Sequence, residues 1–426
     1  MPGPGGEWID AASAAERLGV KTATLYAYVS RGVLRRRHSE DGRRSLFDPA
    51  EVEELARRGR PRRAPGRHEL LIESQVTVLG DDRPYYRGRD ALGLAGTHTF
   101  EDVAHWLWTG EAAGGGVGAA WRAAPEAVAV ARAAQSGLPS GAAPLERLQV
   151  ITVALATADP FRLTLDPPAV IAAGRNLIAG MVESLPPVAA SAPPPATAPL
   201  AATAPSAVAS IPERLWSRLT AAEPRPELVG ALRSALILLA DHELAASTLA
   251  VRVAASVRAD PYAAVGAGLG VLGGTLHGGV SLGVEALFAE IPEPGQAARV
   301  IRERLRRGEP IPGFGGRTIY KGGDGRETCL LDIVRAAAPG HERLAVAEAV
   351  LTEARARRLA EPNVDFALAT LVGVGAMTKG AGEAVFAIAR TAGWLAHALE
   401  EYAREAPIRP RAVYTGPPPE GRVNSR

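Results

Sequence analysis

The sequence predicts a mainly α-helical protein in which a small two-helix N-terminal unit precedes a much larger helical body. Two observations carry that expectation. Hydrophobic residues make up 47% of the 426 residues but aromatic residues only 5%, and a chain rich in Ala, Gly and Leu favours close-packed helices over sheets built from Val, Ile, Tyr and Phe. From about Thr99 onward, apolar residues recur at helical rather than alternating spacing. Lys+Arg and Asp+Glu number 48 and 46, a net charge of +2, so any preference for polyanions must come from local clustering. Cys329, the single cysteine, can form no internal disulfide and has no second thiol for a metal site, which fits a reducing cytoplasm. The start, Met1-Pro2-Gly3-Pro4, has neither the basic residues nor the apolar run of a secretory signal. The uncharged stretch from Pro261 to Val284 imitates a membrane span, but its many glycines and His277 point to a buried central helix leading into a glycine-rich loop.

Residues 1–66 form the first predicted domain. Ala11 to Leu18 reads as a short helix, Gly19 as a turn and Thr22 to Ser30 as a second helix, with Lys21, Thr22, Thr24, Tyr26 and Tyr28 left for its surface. Arg35-Arg36-Arg37, a turn at 40–44 and Leu46-Phe47 then read as a small wing, followed by a helix over Ala50 to Arg57. Ala15-Glu16-Arg17-Leu18-Gly19-Val20 and Thr24-Leu25-Tyr26 resemble the winged helix-turn-helix head of the mercury-resistance-regulator (MerR-like) family. That resemblance implies DNA contact through residues 21–44, with Arg31, Arg35, Arg36, Arg37, Arg43 and Arg44 neutralising phosphates. The alternative is a compact helical cap with a solvated arginine face. Residues 57–67, rich in Arg, Pro and Gly, read as an exposed hinge.

Residues 67–426 form the predicted body. It opens on the alternating stretch Gln75-Val76-Thr77-Val78-Leu79 and on Tyr85-Tyr86-Arg87-Gly88-Arg89. Thr99 is placed as the N-cap of a helix with an acidic first turn. Between Ser184 and Ser210 the composition collapses to Pro, Ala, Ser and Thr, which reads as a loosely laid insertion. Helices resume at Pro212 to Leu219 and continue through Leu228 to Ala255.

Three segments carry chemistry. Gly273-Gly274-Thr275-Leu276-His277-Gly278-Gly279 supplies an imidazole, and Asn363-Val364-Asp365-Phe366 a carboxylate, each in an apolar, small-residue setting. A carboxylate that takes a proton beside a carbonyl, and a neutral imidazole that hydrogen-bonds the enolate oxygen, form a pair suited to enolisation. Asp365 also fits as a cap for a helix beginning near Phe366. The third segment runs from Pro312-Gly313-Phe314-Gly315-Gly316 through Tyr320-Lys321 to Arg326.

Together these segments resemble the citrate synthase family. The resemblance extends to Tyr86-Arg87-Gly88, Asp241-His242-Glu243 with Ala246-Ser247-Thr248, and Arg390-Thr391-Ala392-Gly393-Trp394. It implies large and small helical domains, the small one roughly over 260–370, and a homodimer that condenses an acyl-CoA such as acetyl-CoA with a 2-oxo acid such as oxaloacetate. The coenzyme A thioester is then a substrate, and no permanently bound cofactor or metal is expected. By the same resemblance Asp365 is the general base and His277 the enol stabiliser. His242, Arg326, Arg390 and Arg409 bind the oxo acid, with Arg409 donated across the dimer interface. Lys321, Gly313 and Gly315 approach the coenzyme A phosphates. Gly316 stands where the family has its second catalytic histidine, Ala245 stands in place of an asparagine, and Val280-Ser281-Leu282 replaces the usual run after the glycines. One additional residue separates Gly316 from Arg326, which places Arg317 or Thr318 as candidates for the vacated role. These departures open an alternative function: a DNA-binding transcription regulator whose body senses a CoA ester or a carboxylate.

Overall fold

The computed structural model describes residues 8–18, 20–30, 33–39, 44–57, 71–112, 121–188, 209–315, 319–412 and 415–416. Two compact units emerge, Met1–Ile72 and Glu73–Arg426.

In the first unit the helix Ala11–Arg17 starts where the Asp10 carboxylate accepts from the Ser13 amide at 2.8 Å, an N-cap that satisfies a donor the helix leaves open. The helix Thr22–Ser30, the strands Arg36–His38 and Ser45–Phe47, and the helix Pro49–Arg57 follow. Ser45–Phe47 is the central strand of an antiparallel sheet, with Ile9–Asp10 on one side and Arg36–His38 on the other. Ala14, Leu25, Leu34, Phe47 and Val52 close a small core. Tyr28 belongs to that core and is buried, which corrects its expected place on the helix surface. The tyrosine sits one turn from Leu25, on the same inward face. Arg35 is also engaged: its Nε donates to Glu51 Oε1 at 2.6 Å. Gly19, Arg31 and residues 40–43, which include Arg43, lie outside the described residues.

The second unit opens on a three-stranded antiparallel sheet, Thr77–Leu79, Pro84–Tyr86 and Arg89–Asp90. Its other regular elements are helices. Many of their starts are written locally. Thr99 and Asp102 form a reciprocal capping box, and Pro125, Pro144, Pro167, Pro226 and Pro261 each occupy the first position of a helix, where a missing N–H costs nothing. The 22-residue helix Ala381–Tyr402 is buried over most of its length, mainly through apolar and small residues, with Glu383, Arg390, His397 and Glu401 as buried polar exceptions. Its small residues let neighbours approach. Gly393, for example, packs so closely on Ala240 and Asp241 that a β-carbon there would collide with both.

One boundary shifts from expectation. Ser184 ends the helix Pro167–Ser184 and Leu185 is buried, so the predicted insertion takes in core residues at its start; residues 189–208 lie outside the described residues. The stretch from Pro261 to Val284 is two helices, Pro261–Leu272 and Gly279–Ala289, parted by a loop. Among the described residues no helix is long and apolar enough to cross a membrane.

Candidate active site

The segment that carries Asp365 is held from two sides. Asn363 caps the helix Val364–Val374 by accepting from the Asp365 amide at 3.1 Å, and Asp324 Oδ2 accepts from the Val364 amide at 3.1 Å. Asn363, not Asp365, is therefore the cap, and the Asp365 carboxylate is left for other work. Its Oδ1 is shut from solvent and has no hydrogen-bond partner among the described residues. An unpaired buried carboxylate is costly, and the group responds by holding its proton. Burial, with a smaller push from Asp324, raises the Asp365 pKa to about 7 against the opposing pull of Arg326 and Arg390.

Gly313 and Gly315 anchor the neighbouring loop. Gly313 has φ +82° and Gly315 φ +73°, a left-handed backbone that favours glycine. The Asn363 amide donates to Gly313 O at 2.9 Å, and the Gly315 amide donates to Glu361 O at 3.0 Å. This pairing ties the loop to the Asp365 segment and gives both glycines a local reason. Gly316, Arg317 and Thr318 lie outside the described residues.

His277 sits in the loop between the Pro261–Leu272 and Gly279–Ala289 helices. Its Nε2 lies 2.7 Å from Ser247 Oγ, and its ring stands edge-on to Phe386 with centroids 5.9 Å apart. Burial, and secondarily Arg390, lowers its pKa to about 4, so the imidazole is neutral near pH 7. Gly278 is required by the loop itself: a β-carbon would lie 2.7 Å from Leu272 O.

His242 lies in the irregular stretch after the Pro226–Leu238 helix and is buried. Glu243 beside it has φ +55°, an uncommon conformation for a side-chain-bearing residue, and donates its amide to Asp241 Oδ2 at 3.1 Å. His242 Nε2 is 2.8 Å from Tyr320 Oη. Burial and the charges of Arg326 and Arg390 push its pKa well below the ordinary value, so it too is neutral.

Two buried guanidinium groups complete the cluster. Arg326, in the first turn of Gly325–Ala337, is gripped bidentately by Asp324, with Nε to Oδ1 at 2.9 Å and Nη2 to Oδ2 at 2.8 Å. Its Cζ lies over the Tyr320 ring, 5.5 Å from the centroid. Arg390 donates Nε to Leu239 O at 2.8 Å and lies 4.6 Å from the Phe386 ring centre. Among the described residues its terminal nitrogens have no protein partner. Burial, with Arg326 adding to it, lowers the Arg390 pKa to about 10, so it remains a cation at neutral pH.

The structure thus gathers His242, His277, Arg326, Arg390 and Asp365 around one buried polar centre. Arg409 is exposed, outside that centre within this chain, and has no ion-pair partner among the described residues; the tail before it is pinned by the Ile408 amide donating to Ser256 Oγ at 3.0 Å. Lys321 is exposed and lines a cleft of about 630 Å³. That cleft also carries Asp82, Asp324, Glu327, Asp332 and Glu361, so anion binding there would rest on Lys321 and Arg83 against five carboxylates. Sequence reasoning gave no role to Ser247, Asp324 or Tyr320. Asp324 was detectable as a cap before Arg326, whereas Ser247 and Tyr320 meet partners 30 and 78 residues away.

A family model described as "Citrate synthase, C-terminal domain" matches residues 67–411. The chain is 38% identical over 213 residues to "Citrate synthase 2" of Bacillus subtilis, covering 49% of this chain and 56% of that protein. It is 33% identical over 196 residues to "2-methylcitrate synthase" of Mycobacterium tuberculosis, covering 45% and 50%. The chain spans about half the length of these curated relatives. The fold is similar to that of a Thermotoga maritima citrate synthase, with TM-score 0.65 and 23% identity over 84% of this chain and 96% of that one. It is also similar to a Thermoplasma acidophilum citrate synthase solved as a ternary complex with carboxymethyl coenzyme A and oxaloacetate, with TM-score 0.66, 22% identity and the same two coverages.

Proposed function

We propose that this chain, which belongs to the citrate synthase family, joins an acyl-CoA to a 2-oxo acid, giving citrate or a related hydroxy acid and free CoA. The observation that carries the proposal is the unpartnered Asp365 Oδ1 in one buried cluster with two neutral histidines and two arginines. Asp365 takes the α-proton of the thioester. A Ser247 hydroxyl donating to His277 Nε2 leaves the Nδ1–H to stabilise the enolate oxygen. The enolate carbon then attacks the oxo carbon, and water cleaves the product thioester to release the CoA thiol. Arg326 and Arg390 hold the oxo-acid carboxylates, since guanidinium forks match them in shape and charge. The thioester is a substrate rather than a resident cofactor, and the active form proposed is a cytoplasmic homodimer in which Arg409 completes the neighbouring clamp.

Thiol release measured over a panel of acyl-CoAs and 2-oxo acids tests this reading. Turnover that requires both substrates together is the expected result; no turnover with any pair, by protein shown to be folded, would reject it. Gly316, in the place of a family histidine, predicts a rate below that of histidine-bearing members by about 100–1,000-fold unless another donor serves.

A second reading is favoured by one observation in the first unit. Arg36, Arg37 and His38 are exposed along their strand, and Lys21, just before the second helix, and Thr22 and Thr24 at its start are exposed too. These groups fit duplex DNA, which makes a ligand-responsive regulator the rival function. Binding of the full chain to duplex should then fall steeply with added salt, as released counterions require. Absence of binding at low salt leaves the unit as a helical cap.

A further inference from the structure

An oxo acid under attack needs a donor at its carbonyl oxygen, because that oxygen gains a full negative charge as the carbon–carbon bond forms. Within the cluster, Asp365 and His277 are committed to the acyl partner, and the guanidinium groups of Arg326 and Arg390 suit carboxylates. The remaining polar pair is His242 Nε2 and Tyr320 Oη, 2.8 Å apart with their rings edge-on. Tyr320 is buried and its ring lies beside Arg326, so its hydroxyl sits next to the group proposed to hold the oxo acid.

We propose that Tyr320 is a catalytic residue of this site, its hydroxyl donating to the oxo-acid carbonyl oxygen and giving that oxygen its proton as the new bond forms. The inference rests on the acyl-CoA condensation reading above. In balance, the enolate electron pair forms the carbon–carbon bond, the carbonyl π pair moves to oxygen, and the oxygen takes the phenol proton. The phenolate recovers a proton from water that enters before thioester cleavage. Burial raises the Tyr320 pKa to about 12, which keeps the phenol protonated at working pH yet leaves it more acidic than an alcohol, so transfer to an alkoxide runs downhill. Neutral His242, in the tautomer with its proton on Nε2, donates to Tyr320 Oη and so fixes the hydroxyl while leaving the single phenol hydrogen for the oxo acid.

The test separates the two halves of the reaction. Tyr320→Phe removes one oxygen and keeps the ring against His242 and Arg326. Condensation is followed by thiol release. Enolisation alone is followed by exchange of the acyl α-protons with deuterated water, in the presence of the hydroxy-acid analogue of the oxo acid, which cannot condense. The expected result is a kcat for condensation lower by about 100–1,000-fold, with exchange at the wild-type rate. Wild-type condensation in the variant overturns the role of Tyr320 while the condensation reading stands. An equal fall in both rates also overturns it, since that pattern reports a general distortion of the site. A wild-type chain that neither exchanges nor condenses removes the condensation reading and this inference with it. If the variant melts early, 3-fluorotyrosine at 320 keeps ring and hydroxyl. Its more acidic phenol should move the high-pH limb of the condensation profile toward lower pH, and an unmoved limb overturns the proposal.

Discussion

Asp365→Asn should lower condensation by about 100–10,000-fold, the usual contribution of a positioned general base, and at the same time raise the stability of the fold near neutral pH. Both effects come from one cause. The carboxylate is buried, its Oδ1 has no partner, and burial lifts its pKa from 3.8 to about 7. The folded pKa lies above the unfolded one, so between them the folded state binds the extra proton. Stability is therefore greatest below about pH 4 and declines as pH rises through about 7. Asparagine keeps the shape and never ionises, so its melting temperature should fall less steeply than that of the wild type, the remaining slope coming from groups such as Glu327 and Glu383 that burial also raises to about 7. Activity runs the other way, because only the ionised form can take a proton, and turnover should climb through the same window. Parallel thermal melts and rate profiles between pH 5 and pH 8 check the pairing. A variant both inactive and less stable at every pH would make Asp365 a structural residue.

Much of this site was legible because its parts are written in short contiguous stretches. Asn363-Val364-Asp365 places the cap and the buried carboxylate proposed as base within three residues, and the loop around His277 is marked by glycines that its own backbone requires. The start of the helix Phe100–Thr109 was legible for the same reason, through the capping Thr99 and its acidic first turn. What stayed hidden are contacts that exist only once distant segments meet. Ser247 reaches His277, and Tyr320 reaches His242, across helix packing that no local pattern encodes. The grip of Asp324 on Arg326 changes what that arginine can offer: its Nε and one Nη2 hydrogen are already spent, which leaves the rest of the fork for a carboxylate. Tyr28 was misplaced because an amphipathic side chain carries no sign of which half is buried.

Arg252→Met should cost about 3–5 kcal/mol of folding stability, because it removes the buried cation from an ionic network in which Glu401 is fully buried and Glu400 largely so. The Arg252 side chain is wholly buried. Its Nε donates to Glu401 Oε1 at 2.6 Å, and its Nη1 meets Glu400 Oε2 and His397 Nδ1 at 2.7 Å each. Arginine only donates, so His397 Nδ1 must accept, which leaves its Nε2–H to face Asp241 at 3.3 Å. Asp241 precedes His242, and the Ala246–Ser256 helix that carries Arg252 also carries Ser247, the partner of His277. One arginine thus ties the buried 22-residue helix to both histidines of the site. With methionine in its place, Glu400 and Glu401 keep their burial and lose their main counter-charge. Denaturant unfolding should show the loss. Adding Glu401→Gln should return part of it, since the second change removes an uncompensated charge, and that recovery distinguishes electrostatic frustration from a simple cavity. A single variant that loses less than about 1 kcal/mol would place the network at the level of an exposed ion pair and would detach it from the positioning of His242.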